Sequence, residues 1–268
     1  MAVSCVFFDL DDTIYMDRGS TAAVFAATCE LARDLCGAPP ALLEQAVRRV
    51  ARERWFATKA ECPAAERIGI SSWASLWMPF PEADDPEWNS FRSTLDEYRT
   101  GVWRQGLAEC AIADDALAEA LARAFTGFHY ETFYAFPGAR DALETVAKRF
   151  RLGLITNGPT HGQMLKLNAI GMADLFDPIV TSEEAGVAKP DPGIFTLALE
   201  RAGVAPADAV MVGNSLEADV SAARAVGMTA IWLCRDFEDP PVDFVGYRPR
   251  DLAGVARMLV TGMVGGQT

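Results

Sequence analysis

The strongest constraint on the fold is a set of short apolar runs that end in polar residues. The first run, VSCVFF at residues 3–8, passes directly into DLDDT at 9–13. Runs this short and almost uniformly apolar are typical of strands buried on both faces of a parallel sheet. Similar runs follow at Arg151–Thr156, Ala209–Gly213 and 229–233.

Helical patterns separate these later runs, near residues 139–149 and 193–202. Strands that alternate with helices of this length indicate an α/β fold. We therefore expect a Rossmann-like, doubly wound parallel sheet. In such sheets, ligands bind at the carboxyl ends of the strands.

Between about residues 16 and 136 the sequence changes character and favours helices, near 20–36, 40–59, 88–100 and 112–130. Helix-breaking residues separate these segments, at 37–40, 78–86 and 136–138. Five of the six Trp fall in this stretch, with a basic run at residues 48–54. These residues could form an aromatic and cationic roof over an anionic substrate, but we favour the interpretation that the Trp fill the core of this stretch and the Arg are solvated. We predict a discontinuous α/β core of residues 1–15 and 137–268, with a mostly helical domain of residues 16–136 inserted after the first strand.

Composition excludes several classes of protein. The chain has 268 residues, half of them hydrophobic, and a net charge of −13, which argues against general nucleic-acid binding. No apolar stretch is long enough for a membrane span, and the N-terminal residues lack the basic start of a signal peptide. Six Cys without a CxxC pair favour free thiols, so we expect a cytoplasmic protein.

The polar residues at the strand ends are the candidate functional groups. Asp9 and Asp11 follow the first strand, and two carboxylates so placed can share a metal and a reacting centre, one as nucleophile and one handling protons. The alternative is a polar, helix-capping turn. Thr156, Asn157 and Gly158 end the second strand with a hydroxyl, an amide and backbone N–H groups, which suit a phosphate but are also ordinary turn residues.

Two further segments complete this set. Lys189 lies beside a proline in a loop, in a chain that has only four Lys, although a lone Lys is normally solvated. Asn214 and Asp219 follow the strand at Ala209–Gly213 and could bind a hard cation through oxygen, or simply cap a helix.

Taken in order, these motifs resemble those of the haloacid dehalogenase (HAD) superfamily of hydrolases. The first strand end matches DxDxT, and a small hydroxyl residue, a Lys and GNSLEAD follow in the family's order. The resemblance covers roughly residues 1–15 and 137–235. It implies that the insertion is a helical cap of the C1 type, and it leaves the substrate and the oligomeric state open.

The resemblance also implies a phosphatase mechanism. Asp9 would attack phosphorus and form an aspartyl-phosphate, and Asp11 would protonate the leaving group and then activate water. Mg²⁺ would be held by Asp9, by the backbone carbonyl of Asp11 and by the last motif, Asn214 or Asp219. Thr156 and Lys189 would hold the phosphoryl oxygens, with Asn157 and Gly158 beside them. The expected partner is a small phosphorylated metabolite.

One departure from the family pattern affects the metal site, because Asn214 stands where the family usually has Asp. The amide keeps an oxygen ligand but removes one negative charge, which should weaken Mg²⁺ binding. Asp219 should offset part of this loss. Three alternatives stay open: a haloacid dehalogenase, a phosphomutase, and a non-catalytic regulatory protein on the same fold. Asp11 argues against the dehalogenase, since dehalogenases of this superfamily usually lack an acid there.

Overall fold

A five-stranded parallel sheet forms the centre of the first part of the protein. In the computed structural model, which describes residues 3–60, 62–80, 86–235 and 246–264, the chain divides into two units. The first unit combines Met1–Met16 with Ala135–Thr268, and the second is Asp17–Tyr134. Residues 81–85 of the predicted breaker segment 78–86 lie outside the described residues.

All neighbouring strands of the sheet are parallel, in the order β3-β2-β1-β4-β5. This topology confirms the predicted doubly wound α/β fold. The central position of β1 places the residues that follow it in the middle of the carboxyl edge. The strands are β1 (Cys5–Phe8), β2 (Arg151–Thr156), β3 (Ile179–Thr181), β4 (Ala209–Gly213) and β5 (Thr229–Trp232).

Close packing holds the central strands in register. Phe7 of β1 is fully buried and pairs with Gly153 of β2 and Met211 of β4. A Cβ atom at Gly153 would come within 2.5 Å of the Phe7 ring, so the ring occupies the space that glycine leaves. The register therefore depends on a bulky residue and a glycine in neighbouring strands.

The helices of the first unit connect these strands, and Gly138 and Gly203 flank two of them with left-handed backbone. Such backbone is unstrained only for glycine, which supports the observed boundaries. A π-helical turn, Leu216–Ser221, runs into α11. The helices are α7 (Ala139–Ala147), α8 (Thr160–Ala169), α9 (Ser182–Ala185), α10 (Pro192–Ala202), α11 (Ala222–Ala225) and α12 (Leu252–Val260), numbered after the six of the second unit.

The second unit is helical in its described part and has its own aromatic core. Trp55, Trp77 and Trp103 are buried, and the rings of Phe25 and Phe125 meet edge to face at 4.7 Å, which confirms these three Trp as core fillers. Trp73 and Trp88 are only partly buried, and the guanidinium groups of Arg48 and Arg52 lie over the Trp73 ring. None of the helices described here is long and apolar enough to cross a membrane. They are α1 (Asp17–Cys36), α2 (Pro40–Ala60), α3 (Pro63–Arg67), α4 (Ser72–Trp77), α5 (Pro86–Glu109) and α6 (Asp115–Glu131).

Candidate active site

The candidate residues meet at the carboxyl edge of the sheet because the strands that carry them are parallel. Asp9 follows β1, Thr156 ends β2, and Asp219 lies in the π-helical turn after β4. Lys189 comes from the loop before α10. Hydrogen bonds between these segments show that residues up to 180 positions apart share one site.

Lys189 lies between two carboxylates. Its Nζ is 2.7 Å from Oδ1 of Asp9 and 2.6 Å from Oδ1 of Asp219, and it also donates to the carbonyl oxygen of Ile155 at 2.9 Å. The exposed fractions are 6% for Asp9, 6% for Lys189 and 1% for Asp219. A buried ammonium thus has three oxygen acceptors, which offsets the cost of removing its charge from water.

This burial changes the acidity of both charged partners. Loss of water on burial raises the pKa of Asp9 to about 6, a net value in which the Lys189 ammonium opposes the rise and the nearby Asp219 carboxylate adds to it. Burial also opposes the charge of Lys189, but the carboxylates of Asp219 and Asp9 outweigh it and raise the pKa of the ammonium. Near neutral pH, Lys189 is therefore charged and Asp9 is mostly ionised.

Asp219 is fixed in place by the turn that follows β4. Its Oδ2 accepts a hydrogen bond from the backbone N–H of Ser215 at 2.9 Å, while Oδ1 faces Lys189. The carboxylate packs against the α-carbon of Gly213, where a Cβ atom would collide with it. The glycine that ends β4 is therefore required for this carboxylate to reach the lysine.

Asn214 lies beside the residues that follow β1. Its Oδ1 accepts a hydrogen bond from Oγ1 of Thr13 at 3.3 Å, and its backbone carbonyl accepts one from the Trp232 indole at 3.0 Å. The structure therefore places Asn214 next to the first motif.

The three residues at the end of β2 have different partners. Both amide atoms of Asn157 bind the backbone of Lys189, through bonds of 2.8 Å and 3.0 Å. The N–H of Gly158 donates to Oγ of Ser182 at 2.7 Å. Thr156 is buried, and its Oγ1 is 2.5 Å from Nε2 of Gln163. Asn157 thus fixes the lysine loop, whereas Thr156 contributes a hydroxyl at the strand end.

Two side chains that the sequence analysis missed contact Asp11. Lys166 Nζ is 2.8 Å from its Oδ1, and Gln163 Nε2 is 3.1 Å from its Oδ2. Both lie on α8, three residues apart and so on one face of the helix. The scarcity of lysine in this chain was a usable signal, but an isolated Lys in a helix gave no reason to pair it with Asp11.

Comparison with known proteins agrees with this geometry. A family model for haloacid dehalogenase-like hydrolases matches residues 3–227. The chain is 33% identical to a phosphoserine phosphatase of Thermus thermophilus over 88% of this chain and 91% of that protein. Two solved structures share the fold: the HAD-hydrolase YfnB of Bacillus subtilis (TM-score 0.66, 21% identity, 97% and 100% of the two chains) and a 2-haloacid dehalogenase of Pseudomonas syringae pv. Tomato (TM-score 0.60, 25%, 97% and 99%).

The protein is thus an α/β protein with a doubly wound parallel sheet and a carboxylate–lysine–carboxylate cluster at the carboxyl edge of that sheet. The protein belongs to the haloacid dehalogenase-like hydrolase family, and it is a phosphatase-type member of that family.

Proposed function

We propose that this protein is an Mg²⁺-dependent phosphomonoester hydrolase that acts on a small phosphorylated metabolite through an aspartyl-phosphate on Asp9. The observation that carries the proposal is the position of Lys189, whose ammonium lies 2.7 Å from Asp9. A carboxylate that attacks a phosphate dianion must overcome strong repulsion, and a fixed cation at the nucleophile reduces it.

In the first step, a carboxylate oxygen of Asp9 forms a bond to phosphorus as the ester P–O bond breaks. Asp11 gives its proton to the leaving oxygen and becomes a carboxylate. In the second step, Asp11 takes a proton from water, whose oxygen attacks the phosphorus and breaks the bond to Asp9. Phosphate leaves, and both aspartates return to their starting states.

Three other residues support these steps. Lys189 and the Thr156 hydroxyl would hold oxygens of the transferring phosphoryl group. Asn157 would keep Lys189 in position through its two bonds to the lysine backbone. Gly158, at a φ of 128°, turns the chain from β2 toward α8. Fixed donors of this kind need no rearrangement at the moment of reaction.

The donors at this edge suit a hard cation. The carboxylates of Asp9 and Asp219, the Asn214 amide and the backbone carbonyl of Asp11 offer oxygen only, which Mg²⁺ prefers. The described residues hold no cluster of three His, Cys, Asp or Glu of the kind that binds a metal by itself, so the amide and the carbonyl would be needed to complete the set. The bound ion would neutralise phosphoryl charge and orient the nucleophile.

The helical unit Asp17–Tyr134 is proposed to be the C1-type cap. Support comes from its place in the sequence, because it interrupts the first unit between Met16 and Ala135. A net charge of −13 disfavours a nucleic-acid substrate, and six free thiols are consistent with a reducing compartment such as the cytoplasm.

Phosphate release tests the proposal directly. The protein should release phosphate from para-nitrophenyl phosphate in the presence of Mg²⁺, and chelation with EDTA should abolish the release. A screen of phosphorylated metabolites should then identify the substrate class. Halide release from 2-haloacids without phosphate release would favour the dehalogenase alternative, and neither activity would favour a regulatory protein.

A further inference from the structure

The carboxylate of Asp11 is held at both of its oxygens by one helix. Lys166 binds Oδ1 and Gln163 binds Oδ2, at 2.8 Å and 3.1 Å. The side chain of Asp11 is 31% exposed, whereas that of Lys166 is 3% exposed. The two α8 side chains therefore hydrogen-bond the carboxylate from the protein interior, and part of the carboxylate stays exposed to solvent.

Helix α8 is itself fixed at its beginning. The N–H of Gly158 donates to Ser182, and the N–H of Thr160 donates to a carboxylate oxygen of Glu183, each at 2.7 Å. These two bonds tie the beginning of α8 and the loop just before it to α9, the short helix after β3. The helix that carries Gln163 and Lys166 is thus fixed by hydrogen bonds at its beginning. Catalysis depends on such accurate positioning of the reacting groups.

The Gln163 amide joins two parts of the proposed mechanism. Besides Asp11, its Nε2 contacts Oγ1 of Thr156 at 2.5 Å and the carbonyl oxygen of Asn157 at 3.0 Å. Its Oε1 is buried and has no hydrogen-bond partner among the described residues. An unpaired buried acceptor is costly. This amide accepts that cost because its Nε2 faces three oxygen atoms, and these contacts set its orientation.

Lys166 is buried beside Asp11 and Tyr15. Its ammonium lies 5.2 Å from the centre of the Tyr15 ring. The ammonium donates to Oδ1 of Asp11 at 2.8 Å. This contact and that of Gln163 engage both oxygens of the carboxylate.

We propose that Gln163 and Lys166 are positioning residues that fix the Asp11 carboxylate relative to the Thr156 hydroxyl. This inference rests on the proposed function, because it concerns the acid–base group of that reaction. One amide contacts both the group that handles protons and the group that holds the phosphoryl oxygens. Loss of Lys166 then impairs proton transfer, and loss of Gln163 also removes the contact to the Thr156 hydroxyl.

The test compares substituted phenyl phosphates, from para-nitrophenyl to para-methoxyphenyl, whose leaving groups need increasing protonation. Gln163→Met and Lys166→Met keep most of the side-chain volume and remove the contacts to Asp11. We expect kcat to fall ~10²-fold for the poorest leaving group in both variants, with a much smaller loss for para-nitrophenyl phosphate and, for Lys166→Met, little change in KM. Lys148→Met and Gln105→Met, at exposed positions, are the matched controls and should behave like the wild type.

Double variants separate positioning from a general structural defect. In an Asp11→Asn background, Lys166→Met should cause almost no further loss, because its effect passes through Asp11. Losses that multiply, or that are equal for all leaving groups, would overturn the inference. Lys166→Arg retains the charge and should recover part of the activity toward poor leaving groups. Gln163→Glu retains the shape but turns a carboxylate toward Asp11, so it should reproduce the defect even if the Met variants fold poorly.

The wild-type protein distinguishes this inference from the function on which it rests. Phosphate release with unchanged leaving-group dependence in the folded α8 variants would overturn the positioning role and leave the proposed function intact. No phosphate release from the wild type would overturn both.

Discussion

Lys189 and Asp9 form a buried ion pair of 2.7 Å between residues 180 positions apart. The pair joins the loop before α10 to the end of the central strand, and Asp219 extends it to the turn after β4. The same contact thus links folding and proposed chemistry, because the ammonium that neutralises the nucleophile also holds three segments together.

Replacement of Lys189 by Met should destabilise the fold in a pH-dependent way. Removing one member of a buried ion pair costs about 3–5 kcal/mol, since Asp9 and Asp219 then face each other without a counter-charge. Burial already raises the pKa of Asp9 to about 6, above its usual 3.8, and loss of the ammonium raises it further. The folded state then binds protons more tightly than the unfolded state, so stability rises as pH falls.

Urea unfolding of Lys189→Met and the wild type at about pH 8 and about pH 5, without divalent cations, measures this effect. The difference in unfolding free energy should be largest at the higher pH and should shrink at the lower one. Lys148→Met, at an exposed position, controls for the loss of a lysine. A deficit that is constant with pH would show that the two carboxylates are not the cause.

Asp9→Asn should abolish turnover and leave the fold intact. An amide is a very poor nucleophile, so no phosphoryl-enzyme forms. Lys189 keeps its 2.6 Å contact with Asp219, and the cluster therefore retains one ion pair. Phosphate release and thermal unfolding should be measured beside Asp141→Asn, an exposed Asp→Asn control in α7. Appreciable turnover by folded Asp9→Asn protein would assign the nucleophile to another residue.

Asn214→Asp should lower the Mg²⁺ concentration needed for half-maximal activity. A carboxylate adds a negative charge to the site proposed for Mg²⁺, and a hard cation binds more strongly to it. Thermal unfolding gives a second measurement, because the stabilisation by added Mg²⁺ should also increase. Asn168→Asp, an exposed change in α8, is the control. An unchanged Mg²⁺ dependence would remove Asn214 from the metal site.

The buried thiols should resist modification in the folded protein. Burial raises the pKa of Cys5 to about 11 and that of Cys29 to about 12, so few thiolates exist near neutral pH. Cys36 and Cys110 are partly exposed and should react first. Mass spectrometry after brief alkylation should find label on those two, and on Cys5 and Cys29 only after unfolding. Early labelling of Cys5 would mean that β1 opens locally.

The sequence predicted the fold because its signals are local. The runs that became β2 and β4 match the observed strands residue for residue, and the helix expected near 193–202 is observed as Pro192–Ala202. Strand β3 was missed, since three residues at the edge of a sheet show no periodicity. The helix expected near 88–100 extends to Glu109. The prediction ended too early because Gly101 and Gly106 interrupt the helical pattern. In the structure these glycines lie within the helix, at points where a larger residue would collide with Arg54 or Val47.

The candidate site was predictable only in part. Asp9, Lys189 and Asp219 stand in recognisable motifs, and the structure brings them within hydrogen-bond distance. Gln163 and Lys166 lie in an ordinary helical sequence, and their contact with Asp11 depends on how α8 packs against the end of β1. Such contacts between distant segments come from tertiary structure, which a single sequence does not encode in any local pattern.

Asp11→Asn separates the two carboxylates of the first motif. The change leaves the backbone carbonyl and the Asp9 nucleophile in place but removes the proton donor and base. Turnover should fall by roughly two to four orders of magnitude. With para-nitrophenyl phosphate, which needs little protonation, Asp9 should still be phosphorylated, and the intermediate should accumulate because its hydrolysis lacks a base. Mass spectrometry should find one phosphoryl group on the peptide that contains Asp9, and Asp12→Asn serves as the neighbouring control. Full activity of Asp11→Asn, or phosphate on another residue, would contradict this division of roles.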